Sequence, residues 1–280
     1  MTVREPPSPR ASAAASSSPV AQGAFSRSAQ LDVHAYVGPY PWRQVPHADA
    51  NVLIRVLERE GVHRAWVGYL PSAFHRDPNP GNTALYGTLA PHRDTLFPAP
   101  VVRPDWPGWP RELARAIEEG AAAIRAYPMH WGFPAGSSAL TELGAACSER
   151  RLPLLLTVRF EDARQRHPHD VTGDLTAAHI RALARARTAA RVVILGAGRG
   201  LIEEVHWSLT PEERAWVWWD ISWIWGPPED DLAHLLRAVG PDRFVYGAAW
   251  PLRLAQTPRA NLALLPEDVA TVSLADPWSW

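Results

Sequence analysis

The chain contains no lysine: all 28 of its basic residues are arginine. That absence removes Schiff-base catalysis and any metal pair bridged by a carboxylated lysine. Biased base composition is the simplest cause, and it carries no function. There is one cysteine, Cys147. No internal disulfide can form, and a cytoplasmic setting is expected. Nothing near Cys147 in the sequence would lower its thiol pKa, so it reads as a small core residue rather than a nucleophile. Net charge is −1, which leaves no excess for nucleic acid or a charged membrane surface to recognise. No apolar run approaches the roughly 20 residues of a membrane span. The first strand is followed by Gly38-Pro39-Tyr40-Pro41, which is not the glycine-rich loop of a dinucleotide site.

What is present is a chain of 280 residues, 46% hydrophobic, large enough for one big core. Residues 1–30, rich in Ala, Ser, Pro and Arg, show no periodicity and read as a disordered tail. Ser and Pro interrupt any signal-peptide core there. Residues 31–280 read as one domain. Leu31, Val33 and Ala35 alternate with Asp32, His34 and Tyr36, predicting a strand that Gly38, Pro39 and Pro41 stop.

Strands are then expected over Val62–Tyr69, Leu96–Val102, Ala121–Tyr127, Leu152–Phe160, Arg191–Leu195, Ala215–Ser222 and Arg243–Gly247. Helices are expected over Asp49–Arg59, Gly81–Leu89, Pro110–Glu119, Ser138–Arg150 (with Ser138 as cap), Asp174–Thr188, Glu229–Val239 and Pro258–Leu265. Gly200–Val205 reads as a short connection. Near-continuous apolar strands such as Leu152–Phe160 suit a parallel sheet buried on both faces. Eight strands, most followed by a helix, in about 250 residues give the rhythm of a (β/α)8 TIM barrel, with an open doubly wound sheet as runner-up. Barrel chemistry sits at the C-terminal strand ends. That rule selects His34, Tyr36, Arg125, Arg159, Glu161, Asp162, Asp220, Ser222 and Trp250.

Two stretches carry a family resemblance: Asp32-Val33-His34-Ala35-Tyr36-Val37-Gly38, and Phe244-Val245-Tyr246-Gly247-Ala248-Ala249-Trp250-Pro251. With the strand-helix spacing across Leu31–Leu265, the chain resembles the amidohydrolase superfamily in its decarboxylase- and lactonase-like branch. The resemblance implies a metal-dependent-hydrolase type of barrel. It also implies five ligand positions for one divalent metal, falling here on His34, Tyr36, Thr157, Gly196 and Ala249. Only His34 keeps its ligand type, so no metal or other cofactor is expected. The run Val158–Pro168 resembles a subgroup with an acidic and basic cluster after the fifth strand.

Each candidate has two readings. His34 is a proton shuttle, titrating near 6.5, or a hydrogen-bonded relic. Glu161 and Asp162 form an acid/base pair, or a surface ion-pair cluster with Arg159 and Arg164. Arg125 grips a substrate carboxylate, or pairs with Glu161 across the mouth. His130 lines the pocket or is solvated. His167 and His169 have ligand-like spacing but sit in a Pro-containing loop. Trp218, Trp219, Trp223 and Trp225 form a binding wall, or pack the barrel against helices or another subunit.

The expected function is that of an amidohydrolase-related hydrolase or lyase acting on a small carboxylate- or carbonyl-containing substrate without zinc. Proton transfer falls to His34 or Glu161, with Tyr36, Arg125, His130, Arg159, Asp162 and Trp250 as binding residues. The alternative is a catalytically degenerate barrel that binds a ligand or pairs with an active homologue. The expected partners are a small-molecule substrate or ligand and, where the chain assembles, a second copy of itself or a homologue, not nucleic acid or membrane.

Overall fold

The computed structural model describes residues 31–46 and 48–280, so the expected N-terminal tail lies outside the described residues. Eight strands run β1 (Leu31–Val37), β2 (Arg64–Tyr69), β3 (Leu96–Pro98), β4 (Ile124–Ala126), β5 (Leu154–Thr157), β6 (Val192–Leu195), β7 (Val217–Asp220) and β8 (Phe244–Val245). Every pairing within β1–β2–β3 and within β4–β5–β6–β7–β8 is parallel. Backbone hydrogen bonds join the two arcs. Between β3 and β4, Ala122 N donates to Pro98 O at 2.9 Å and Arg125 N to Pro100 O at 2.8 Å. Between β8 and β1, Val33 N donates to Tyr246 O at 3.0 Å, Ala249 N to His34 O at 2.7 Å and Tyr36 N to Trp250 O at 2.8 Å. The sheet therefore closes on itself as the expected (β/α)8 barrel, which leaves no edge unpaired.

Helices cover the outside because each carries one apolar stripe. In Ala50–Arg59 the buried residues are Ala50, Leu53, Val56 and Leu57, and the Asp49 side chain caps the start by accepting from Val52 N. These stripes meet the outward side chains of the strands, such as Leu154, Leu156 and Ile194, in one continuous layer. Cys147 lies fully buried in that layer, and burial pushes its thiol up to about 12.

Three expectations about elements change. Gly200–Val205 is not a connection but lies inside a ten-residue helix, Arg199–Ser208, that buries Ile202, Val205 and His206. Gly198 at its cap and Gly200 in its first turn mask the stripe, and tertiary packing overrides the low helix propensity of Gly200. Ser138 is the first helical residue rather than the cap, which is Ser137 and makes no side-chain capping bond. Most strands are shorter than their apolar runs: β5 spans four residues, because its partner β6 also offers four.

One irregularity sets up the site. Inward side chains from around the barrel, including Leu31, Val33, Trp66, Leu155, Val193 and Val245, fill its lower interior. Strict alternation would turn His34 away from that interior. The β1–β2 register shifts between Asp32 and Ala35, however, so the parity of β1 changes. Val33 belongs to the inner cluster, Ala35 and Val37 to the outer layer, and His34 and Tyr36 face the barrel axis. Bulges re-aim side chains in this way.

Candidate active site at the barrel mouth

Five inward residues from four strands meet above the apolar plug: His34 and Tyr36 on β1, Arg125 on β4, Thr157 on β5 and Asp220 on β7. His34 Nδ1 lies 2.5 Å from Asp220 Oδ2 and 3.2 Å from Ser222 Oγ. The other Asp220 oxygen accepts the Gly196 N–H at 2.7 Å. With Nδ1–H donating to Asp220, Nε2 is left to accept from the Tyr36 hydroxyl, 3.2 Å away. That hydroxyl in turn accepts from Arg125 Nη1 at 3.0 Å and lies 3.4 Å from Thr157 Oγ1. The result is a directed chain, Arg125 to Tyr36 to His34 to Asp220, with every link buried.

Glycines make room for it. A Cβ on Gly68 would stand 2.6 Å from Arg125 Nε. One on Gly247 would stand 2.6 Å from Asp220 Oδ2 and 2.9 Å from His34 Cβ.

Electrostatics follow from the enclosure. Burial pulls His34 below its ordinary value, with Asp220 opposing and Arg125 and Arg253 adding to the drop. Asp32 is fully enclosed, and burial outweighs its hydrogen bonds from the backbone N–H groups of His34 and Ala248, pushing it up to about 7.

The residues at the five expected ligand positions do not fit a divalent ion. His34 has both ring nitrogens engaged, and Thr157 is bonded to Tyr36. Gly196 and Ala249 have no side-chain donor. The Arg125 guanidinium, 4.5 Å from the Tyr36 ring centroid, would repel a dication. Among the described residues no cluster of three His, Cys, Asp or Glu side chains is placed to hold a metal, whereas a catalytic zinc takes three protein ligands.

Outside this network lies a cavity of about 400 Å³ whose walls include Arg43, Glu161, Asp162, Trp223 and Arg253. Trp223 joins the two levels: it lines the cavity, and its ring packs against Gly196, whose N–H holds Asp220.

The structure distributes the sequence-derived candidates differently from expectation. Arg125 does not line the outer cavity and does not pair with Glu161. It is fully buried, with Nη2 donating to the carbonyls of Val33, Ala35 and Trp66 at 3.3–3.4 Å. A substrate in the outer cavity cannot reach it there.

Glu161 and Asp162 do line one cavity, but each has its own arginine. Arg43 Nε is 2.5 Å from Glu161, and Arg164 Nε is 2.9 Å from Asp162. Hydrogen bonds from Arg164 hold Asp162 down at about 2, so it stays a carboxylate rather than serving as an acid. Arg159 pairs with Asp174 at 2.8 Å and stacks over Trp223, not with the Glu161–Asp162 pair.

His130 belongs to a second cavity of about 380 Å³, with Trp42 and Phe74, on the far side of Phe160. Trp250 lends its carbonyl to barrel closure while its ring packs in the outer layer. His167 stacks on Trp42 at 5.2 Å and accepts from His169 N. Trp219 is outer-layer packing, and Trp218 meets Trp280 at 4.4 Å.

Sequence reasoning placed Asp220 and Ser222 at a strand end without a role. It passed over Arg43 and Arg253 because no local pattern marks them, and it named Gly196 only as a vacant ligand position, not as the N–H that holds Asp220.

No protein-family model matches the chain, and no curated protein matches it in sequence. Solved structures do match. A 2,6-dihydroxybenzoate decarboxylase from Rhizobium superposes with a TM-score of 0.66 at 11% identity, over 88% of this chain and 96% of that one. A protein named as a candidate 2-pyrone-4,6-dicarboxylic acid hydrolase, from Pseudomonas putida, gives 0.61 at 18% identity over 89% and 95%. A 4-oxalomesaconate hydratase from Rhodopseudomonas palustris gives 0.55 at 14% over 79% and 81%. These neighbours are amidohydrolase-superfamily proteins of the decarboxylase- and lactonase-like kind, and this chain has their fold.

Proposed function

We propose that this barrel is an amidohydrolase-related enzyme of the hydrolase or lyase type. It acts on a small carboxylate- or carbonyl-containing substrate without a divalent metal, and His34 and Asp220 handle the proton. The observation that carries this reading is the buried chain Asp220–His34–Tyr36 at the C-terminal strand ends. Well-packed apolar side chains in its place would be as stable or more so, because the desolvation of buried polar and charged groups is costly. A carboxylate that fixes the tautomer of an imidazole leaves Nε2 as a base, and the Tyr36 hydroxyl can relay the proton. The names of the structural neighbours, a hydrolase, a decarboxylase and a hydratase of small carboxylates, support the same general kind of chemistry.

The test is a screen of lactones, esters and aromatic or β-keto carboxylates with protein dialysed against EDTA. Turnover should survive EDTA, and His34→Asn should lower kcat by ~10²–10⁴-fold. Activity that needs an equivalent of metal, or that His34→Asn leaves intact, would sink the reading.

A second reading is a ligand-binding barrel without chemistry. Its support is the enclosure of the network: His34 is 1% exposed, Tyr36 is fully covered, and Arg125 occupies the barrel axis. It predicts binding with no turnover across the whole screen.

A further inference from the structure

The wall of the 400 Å³ cavity carries three arginines, Arg43, Arg164 and Arg253, against two carboxylates, Glu161 and Asp162. Glu161 is neutralised by Arg43 and Asp162 by Arg164. One positive charge is left over, on Arg253. Its side chain has no hydrogen-bond or ion-pair partner among the described residues, and its Nε is buried and unpartnered. Burial pulls its guanidinium below the ordinary value, with Asp220 and Asp162 opposing. A cation held half-desolvated without a counter-ion is an unusual thing for a protein to keep.

Two indoles fix it in place. The guanidinium carbon lies 4.2 Å from the Trp223 ring centroid and 5.6 Å from that of Trp225. Stacking of this kind uses the faces of the guanidinium and leaves its in-plane donors free. Trp225 is 48% exposed and Leu254 is 69% exposed, so an apolar shelf borders the charge.

We propose that this cavity binds a small planar carboxylate, with Arg253 gripping the carboxylate in its plane and Trp225 covering the ring. The fork of an arginine matches a carboxylate with two parallel hydrogen bonds. The cavity lies near the low end of the ~300–1,000 Å³ typical of small-molecule sites, which suits a single ring. The assignment deepens the functional reading above and rests on it for the claim that this ligand is a substrate. It replaces Arg125 and Arg159 as the anion-binding residues, since both are engaged elsewhere.

The test is direct binding to the full chain by titration calorimetry, independent of turnover. The probes are isophthalate, its neutral diamide and inorganic phosphate. Wild-type protein should bind isophthalate at least about tenfold more tightly than the diamide, the size expected for charge-assisted hydrogen bonds. Arg253→Met should abolish that preference, and Arg253→Lys should keep part of it. Calorimetry reads binding whether or not any turnover is found, so failure of the chemistry and failure of this site read out separately. Equal affinity for acid and diamide in the wild type would overturn the proposal even if Arg253→Met did not fold. An acid preference that persists in folded Arg253→Met would overturn it too. Phosphate bound as tightly as isophthalate would overturn the assignment of a planar carboxylate.

Discussion

Asp220 illustrates how much one side chain organises. One oxygen holds the His34 Nδ1 proton and the other is held by the Gly196 N–H, so the carboxylate locks the imidazole and is itself locked. Both of its neighbours are donors. An asparagine can satisfy one of them but presents an NH2 group to the other. Asp220→Asn should therefore turn the His34 ring or reverse its tautomer. We expect kcat to fall by ~10²–10³-fold with KM changed less than about threefold, because Asp220 positions His34 and does not meet the substrate. Steady-state kinetics on the substrate found in the screen check this. A loss seen only in KM would place Asp220 in binding instead.

Among the elements, β1 and β2 decide the site together. The register shift in β1 turns His34 and Tyr36 inward, and β2 answers with Gly68, the residue that leaves space for Arg125. Arg125 cannot yield to an added methyl, since its guanidinium is bonded to Tyr36 and three backbone carbonyls in a fully closed space. Tyr36 Cδ1, 3.1 Å from the same point, blocks the other side. Gly68→Ala should therefore destabilise the fold by ~1–3 kcal/mol through overpacking, although alanine is not disfavoured by the backbone there. Chemical denaturation measures it. A double variant, Gly68→Ala with Arg125→Met, should recover part of the loss. Full additivity of the two changes would show that the clash is not the cause.

At the scale of the whole molecule, the barrel encloses histidines whose charged forms it disfavours. His130 is drawn down to about 4 from 6.5, chiefly by burial, with Asp170 opposing and Arg166 adding to the drop. His34 shifts the same way. The unfolded chain binds protons at these groups before the folded chain does. The His130 contribution to stability is thus fully present above pH 6.5 and is lost as pH falls through about 4, and that of His34 has the same sign. Asp32 acts in the opposite sense. Raised from 3.8 to about 7, it favours the folded state below pH 3.8, and that benefit is lost as pH rises through 7.

Between pH 6.5 and 4 the histidines and Asp32 therefore pull stability in opposite directions, and a single-site variant isolates the His130 part. The stability difference, wild type minus His130→Phe, should fall by ~2 kcal/mol over that interval. Denaturation midpoints at four or five pH values test this. Parallel curves would remove His130 from the account. No helix among the described residues is long and apolar enough to cross a membrane.

The sequence by itself determined the architecture. Apolar runs of strand length, each followed by an amphipathic segment, permit few arrangements, because every buried face needs a partner and parallel strands need helical crossovers. It also marked His34, Tyr36, Asp220 and Ser222 as strand-end residues, since barrel topology assigns those positions once the strands are read. Only the tertiary structure decided what they do. A one-residue register shift, invisible in the alternation of Leu31–Tyr36, turned His34 toward Asp220, 186 residues away in sequence. Arg125 looked like a clamp because it ends an apolar strand, yet a neighbouring strand's glycine opened a space that drew it inside. Arg253 follows no local pattern at all. Its character comes from the charges that other segments have already neutralised around it, and electrostatic balance is a property of the assembled cavity rather than of any stretch of chain.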